Sequence, residues 1–224
     1  WGTFPSVALA WRVNQEKFLQ NATWIDNLKL RLSYGIVGNQ NGIGNYTTLG
    51  LTDKLRYEFG DNSYMGYLPG AELTNPNLKW EQSRTVNMGL DFGLFRNRLS
   101  GTIEYYKTRT TDLLVYRGLN SALGYEKMLD NLGETKSSGI DISVSGDVIR
   151  TKDFTWSLGA NFSQYSNEIV KIDDQVDENG KPLSQPGNNW FVGKPINVYY
   201  NYEPDGIYQY TDFDITRDAY GKLT

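Results

Sequence analysis

Apolar and polar residues alternate along six stretches of the chain. Between Asn27 and Gly38, Leu28, Leu30, Leu32, Tyr34 and Ile36 take one set of alternate positions, and Asn27, Lys29, Arg31, Ser33 and Gly35 the other. Successive side chains of a β-strand point to opposite faces, so this spacing predicts a strand with one oily side. The same pattern places Val7, Leu9, Trp11 and Val13 together, then Val86, Met88, Leu90, Phe92 and Leu94, and then Leu99, Gly101, Ile103 and Tyr105. It recurs in Ile140, Ile142, Val144 and Val148, and again in Phe154, Trp156, Leu158, Ala160 and Phe162. Six antiparallel strands in an all-β fold are expected.

The connections alternate too. Residues 95–98 (FRNR) and 149–153 (IRTKD) have the length of hairpin turns. About 39–82, about 112–136 and everything after about 167 read as long loops. In an up-and-down meander this parity gathers the long loops at one end and the short turns at the other, as outer-membrane barrels do. Residues 14–26 fall on the short side, with room for one or two helical turns that tuck Phe18, Leu19 and Trp24 against the rim. Both a soluble sandwich and a membrane barrel make one-sided strands. Alternating stretches of roughly 9–13 residues suit a tilted crossing of the bilayer better than the usual 5–6 residues of a soluble strand. On the barrel reading Lys29, Arg31, Arg84, Asp91, Glu104 and Asp141 line a watery lumen, and Gly35, Gly89, Gly93 and Gly159 relieve crowding in a curved sheet.

Composition narrows the chemistry. The 224 residues include no His and no Cys, which removes Ser-His-Asp catalysis, imidazole metal ligation, disulfides and thiolate sites. A net charge of -4 offers no basic field for nucleic acid. No apolar run approaches the roughly 18 residues of a membrane helix. Asp and Glu number 26, so carboxylate pairs can always be found and do not point to glycosidase chemistry. The acidic stretch 173–182 (DDQVDENGKP) lacks the Ca²⁺-loop spacing, having Gln175 and Pro186 where ligands are needed, and reads as a β-turn at Asn179–Gly180. The stretch 41–46 (NGIGNY) reads as a loop, not a nucleotide-binding turn. No catalytic residue, metal or cofactor is expected.

Five stretches together resemble one family, the SusC/RagA-like TonB-dependent outer-membrane transporters: 1–13 (WGTFPSVALAWRV), 28–46, 75–114 (opening NPNLKWEQSR), 131–145 (NLGETKSSGIDISVS) and 192–209 (VGKPINVYYNYEPDGIYQ). They span nearly the whole chain. The resemblance implies an arc of a large transmembrane β-barrel, about 22 strands in all, with long extracellular loops in the outer membrane of a Gram-negative, Bacteroidota-type cell. Residues 1–224 would be part of the barrel domain, with the plug, signal peptide and TonB-contact segment upstream and the last strands downstream. It also implies uptake of an oligosaccharide or peptide together with a SusD-like surface lipoprotein. The loop regions are rich in rings, including Tyr57, Phe59, Tyr116, Phe191, Tyr202, Tyr208 and Tyr210. Tyr64, Tyr67, Tyr125, Trp190, Tyr199 and Tyr200 are the candidates for contact with ligand or partner, since a ring offers an apolar face with a polar edge. The competing reading is a secreted soluble β-sandwich binding carbohydrate through those rings, and within the barrel class an adhesin or enzyme barrel.

Overall fold

The computed structural model describes residues 2–203 together with Gly206 and Ile207. Tyr208 and Tyr210 lie outside the described residues. Nine strands follow in chain order: β1 (Ser6–Arg12), β2 (Ile25–Asn39), β3 (Thr52–Phe59), β4 (Asn62–Pro69), β5 (Glu72–Leu73), β6 (Glu81–Leu94), β7 (Leu99–Gly118), β8 (Lys127–Arg150) and β9 (Thr155–Lys171). Six of them, β1, β2, β6, β7, β8 and β9, form one antiparallel sheet in that order, and β5 joins β8 by a short parallel pairing. These six are the six alternating stretches.

The pairing register assembles the alternation into continuous rows. Trp11, Leu30, Leu90, Ile103, Ile142 and Phe162 stand side by side across all six strands. Burial on the two faces is inverted relative to a water-soluble protein. Leu9 is 69% exposed, Met88 52% and Phe162 54%, while the side chains of Asp91 and Glu104 on the other face are only 21% and 31% exposed. An uncovered apolar surface of this extent is incompatible with water. Among the described residues β3 and β4 make a separate two-stranded sheet and no second layer lies over the apolar face. A single layer with one uncovered oily face is the arrangement of a barrel wall that meets lipid and differs from the two-layered sandwich.

The apolar band also drifts across the ladder. Towards the loop end its last members are Ile36 on β2, Val86 on β6, Tyr105 on β7, Ile140 on β8 and Phe162 on β9. In register terms the limit moves from the row of Arg84 to the row of Leu90. Six residues over four strand steps correspond to about 20 Å along the strands for about 19 Å across them, a tilt of roughly 45°. Transmembrane barrels have tilts of about 35–45°.

Three expectations are corrected by the ladder. Arg84 does not face the lumen: it shares the face of Val86 and Met88 and lies opposite Ile36 and Arg109. The stretch about 112–136 is mostly strand, because β7 and β8 continue past the bilayer to Gly118 and from Lys127, leaving a connection of residues 119–126. At 24 residues, β8 is about 80 Å long, far more than a crossing needs. The stretch 39–82 contains the exposed β3–β4 hairpin, in which Leu55, Tyr57 and Phe59 alternate with Lys54, Arg56 and Glu58.

The short ends form the expected turns, but Phe18 is not tucked against the rim. Residues 13–19 form two 3₁₀ turns, Val13–Gln15 and Lys17–Leu19. Trp24 stacks on Phe95 of the neighbouring turn, with ring centroids 6.1 Å apart, whereas Phe18 stays 68% exposed. In the β6–β7 turn Phe95, Arg96 and Asn97 all have positive φ near 57°, a conformation that L-residues adopt at a cost of about 1–2 kcal/mol each. The Asp26 carboxylate, accepting from the Asn97 N–H at 2.9 Å, and the Trp24–Phe95 stack hold it there.

Arginine at Leu90, mid-band on β6, is expected to lower bilayer stability of the full-length protein by about 2–4 kcal/mol, and arginine at Asn161 on the polar face by much less. Denaturant midpoints in lipid vesicles check this, and equal costs would contradict the assignment of faces. Replacing Arg96 by Gly relieves one left-handed residue and is expected to stabilise by up to about 1 kcal/mol.

Candidate functional site

The polar face is organised around Arg31 on β2. Its guanidinium grips Asp91 on β6 with two bonds, Nε to Oδ2 at 3.0 Å and Nη2 to Oδ1 at 2.8 Å. The same Nη2 reaches Glu104 on β7 at 2.5 Å. Lys29 adds a second cation, 3.2 Å from Asp91 Oδ2, so two cations and two carboxylates close to neutrality. Asp91 also accepts from the Thr102 hydroxyl at 3.4 Å. Forked, charge-assisted bonds of this kind are among the stronger ones available to a half-covered surface.

Gly89 makes that reach possible. In the register Arg31, Gly89 and Glu104 sit on three successive strands, and the guanidinium passes over the glycine. A Cβ at position 89 would lie 2.9 Å from Arg31 Cζ and Nη2. The sequence marks Gly89 only as a relief of crowding; what it makes room for becomes visible when the strands pair. Asp141, next in the row after Glu104, accepts from the Ser163 hydroxyl. Toward the loop end the face becomes a ladder of hydroxyls, Thr85 with Thr108 and Ser83 with Thr110, each pair 2.9 Å apart. The resulting wall presents carboxylate and hydroxyl groups to solvent. No group of three or more carboxylates suited to a metal ion occurs among the described residues.

At the loop end, extended strands and loops are stapled into one body. Asn131 on β8 exchanges bonds with the Lys79 backbone, donating to its O at 2.8 Å and accepting from its N at 2.8 Å, and also donates to Asp112 O at 2.7 Å. Asn75 donates to Leu129 O and to Asp130 Oδ1. Glu81 accepts from the Leu114 N–H and from Asn39, tying β6 to the bulged part of β7 and to β2. Asparagines suit such crossings because one side chain can satisfy a backbone donor and acceptor together.

Most of the small buried core among the described residues is at this end, in Leu129, Leu132, Ile169 and Ile172, with Val13 at the other. Buried Asp173 accepts from the Gln175 N–H at 2.9 Å and from Gln185 Nε2 at 2.8 Å, fastening the acidic loop. The turn expected at Asn179–Gly180 is present. Gly180 has φ 76°, and Asp177 Oδ1 accepts from the N–H groups of Asn179 and Lys181. Outside the bilayer, the Glu72 carboxylate 3.0 Å away holds the Lys127 ammonium above its usual range, and Lys127 lies 4.2 Å over the Tyr116 ring.

The six candidate rings are not gathered in one place. Tyr64 stacks on Tyr57 at 5.7 Å in the β3–β4 hairpin, while Tyr67, three residues on, points to that hairpin's other face. Tyr125 is half-buried in the β7–β8 connection. Trp190 lines an apolar hollow with Leu114, Ile169, Ile172 and Ile196. Tyr200 packs on Phe191 with centroids 4.9 Å apart, and Tyr199 is 97% exposed. Of the six, Tyr199 is the most available to another molecule.

A family model described as TonB dependent receptor-like, beta-barrel, matches residues 1–223. The chain is 38% identical over 218 residues to the TonB-dependent receptor SusC of Bacteroides thetaiotaomicron, covering 91% of this chain and 21% of that protein. It is 36% identical over 215 residues to the TonB-dependent receptor P3 of Formosa agariphila, covering 94% of this chain and 21% of that one. Among solved structures it superimposes on the RagAB peptide importer in the open-open state with a TM-score of 0.72 and 30% identity, over 86% of this chain and 20% of the other. The closed-closed state of the same importer gives 0.69 at the same identity and coverage. The chain thus spans about a fifth of the length of the relatives it matches.

Valine at Gly89 is expected to dislodge Arg31 from Glu104 and to lower stability by about 1–3 kcal/mol. A melting curve of the full-length protein reads the loss, and an Arg31→Ala background should absorb most of it, because the group displaced is then already gone.

Proposed function

The chain belongs to the TonB-dependent receptor-like β-barrel family, and on that premise we propose that it forms part of the wall of an outer-membrane importer. Residues 1–224 serve as part of the barrel domain, with the plug and the TonB-contact segment supplied by sequence outside this chain. The imported material is an oligosaccharide or a peptide, captured with a SusD-like lipoprotein that closes over the loop end. TonB supplies the mechanical input through the segment outside this chain.

The observation that carries this reading is the inverted burial: leucines uncovered on one side of a six-stranded sheet and charges covered on the other. That arrangement suits a wall between lipid and a watery passage. The wall's part in transport is passive. Its neutralised Arg31–Asp91–Glu104 network gives a passing solute hydrogen-bonding groups without a strong field of either sign, and its hydroxyl ladder resembles the acceptors a sugar or peptide meets in water. Similarity to a peptide importer supports the peptide class, and the oligosaccharide class rests on the family resemblance of the sequence. Exposed rings at the loop end support ligand or lipoprotein contact there, with Tyr199, Tyr200, Tyr64, Tyr67, Tyr125 and Trp190 as the residues concerned.

Cells lacking the full-length gene are expected to lose uptake of a labelled oligosaccharide or peptide, and cells lacking the SusD-like lipoprotein to lose most of it. Unchanged uptake of every labelled solute in both strains, or a native protein that stays in buffer without detergent, would refute the proposal. Tyr199→Ala is expected to weaken ligand or lipoprotein binding by about three- to tenfold at unchanged melting temperature. Trp190→Ala should lower the melting temperature as well, since that ring fills an apolar hollow.

A further inference from the structure

On the lipid-facing side, the first outward residue beyond the apolar band is Arg84 on β6, Lys107 on β7, Ser138 on β8 and Gln164 on β9. Because the band drifts with the strand tilt, these four residues form a line parallel to the membrane plane at the loop end. Arg84 and Lys107 are diagonal neighbours on adjacent strands, since Arg84 pairs with Arg109 and Lys107 with Val86. Such neighbours are about 7–8 Å apart, within reach of one shared anion. Tyr105 lies directly below Lys107, 46% exposed, at the height where barrels place their aromatic girdle.

Charge pairing distinguishes this line from the next one out. Further from the bilayer, Arg109 is bound to Glu134 at 2.7 Å and Lys136 to Glu168 at 2.5 Å. Arg84 bonds only the neutral Gln82 Oε1, at 3.2 Å, and Lys107 has no ion-pair partner among the described residues. A shallow depression runs beside Lys107 towards Lys136, Ser138 and Ser166, with Glu168 at its far wall. Two unneutralised cations, exposed and adjacent, thus stand one step above an apolar surface that meets acyl chains.

We propose that Arg84 and Lys107 form a clamp for the phosphate of an anionic lipid headgroup in the leaflet at the loop end, with the Ser138 hydroxyl as an additional donor and Tyr105 against the upper acyl chain. Continuity with the lipid-facing band selects the occupant: a lipid whose chains lie on Met88, Tyr105 and Ile140 has its phosphate at the height of Arg84 and Lys107. The clamp rests on the apolar face meeting lipid and is independent of what the importer carries.

Native mass spectrometry of the full-length protein in detergent, titrated with short-chain phosphatidylglycerol, short-chain phosphatidylcholine or inorganic phosphate, tests it. Phosphatidylglycerol is expected to bind in preference to phosphatidylcholine and more weakly at high salt. Arg84→Gln or Lys107→Gln should each weaken it about fivefold, and the double variant about thirtyfold. A charge-matched Lys54→Gln, Arg56→Gln variant on the β3–β4 hairpin should bind as the parent does, and circular dichroism checks that all variants are folded. Equal binding of the two lipids, equal loss in the charge-matched variant, or phosphate binding as tightly as the lipid would each overturn the clamp. Full lipid binding by the double variant would overturn it too.

Discussion

A peptide group in hydrocarbon has no water to bond, so any backbone that crosses a bilayer must satisfy its N–H and C=O groups within the protein. The rest of this structure depends on that constraint. Six strands are laid in one uninterrupted antiparallel ladder, and the side of the ladder that faces lipid is apolar from β1 to β9 in the row through Leu90. Exposed leucine is costly in water and neutral in lipid. The same residues that would make a soluble sheet aggregate are what hold this one in place.

The other face has a different problem, because charges and hydroxyls are set close together where the solvent is confined. Its answer is local neutrality. Arg31 reaches two carboxylates on two different strands, and it does so only because Gly89 leaves the intervening strand bare. Above the bilayer the strategy changes again. There the long strands β7 and β8 leave the membrane and gain a small core around Leu129 and Ile169, and Asn75, Asn131, Glu81 and Asp173 fasten the loops onto it. A rim fixed in this way can present rings to a ligand without first having to order them, which lowers the entropic cost of binding.

Much of this was legible in the chain. Strict alternation is imposed by the two-residue period of a strand, so the six spanning strands, their faces and the two hairpin turns could be read from residue order. Arg84 shows where residue type misleads. Read by its charge it belongs with the lumen residues, but it stands two positions before Val86, and pairing with Ile36 and Arg109 confirms that it continues the lipid-facing side of β6. The loop-end parts of β7 and β8 were likewise read as loop, because beyond the bilayer neither face needs to be oily and the period fades. The β3–β4 hairpin does carry the period, Leu55, Tyr57 and Phe59 against Lys54, Arg56 and Glu58, but only briefly within a long polar stretch.

By itself, then, the sequence determined that this chain is all-β, that its strands have one apolar side, that two tight hairpin turns fall at the end opposite the long excursion after β2 and that no imidazole or thiol chemistry is possible. These are properties of residue order and composition, set within a few neighbours. Tertiary structure alone decided the register, and with it the strand tilt, the charge bridge over Gly89, the staples of the loop rim and the unpaired line of Arg84 and Lys107. Each of these joins residues tens of positions apart, and no local pattern specifies how far one strand slides along another until hydrogen bonds lock the ladder.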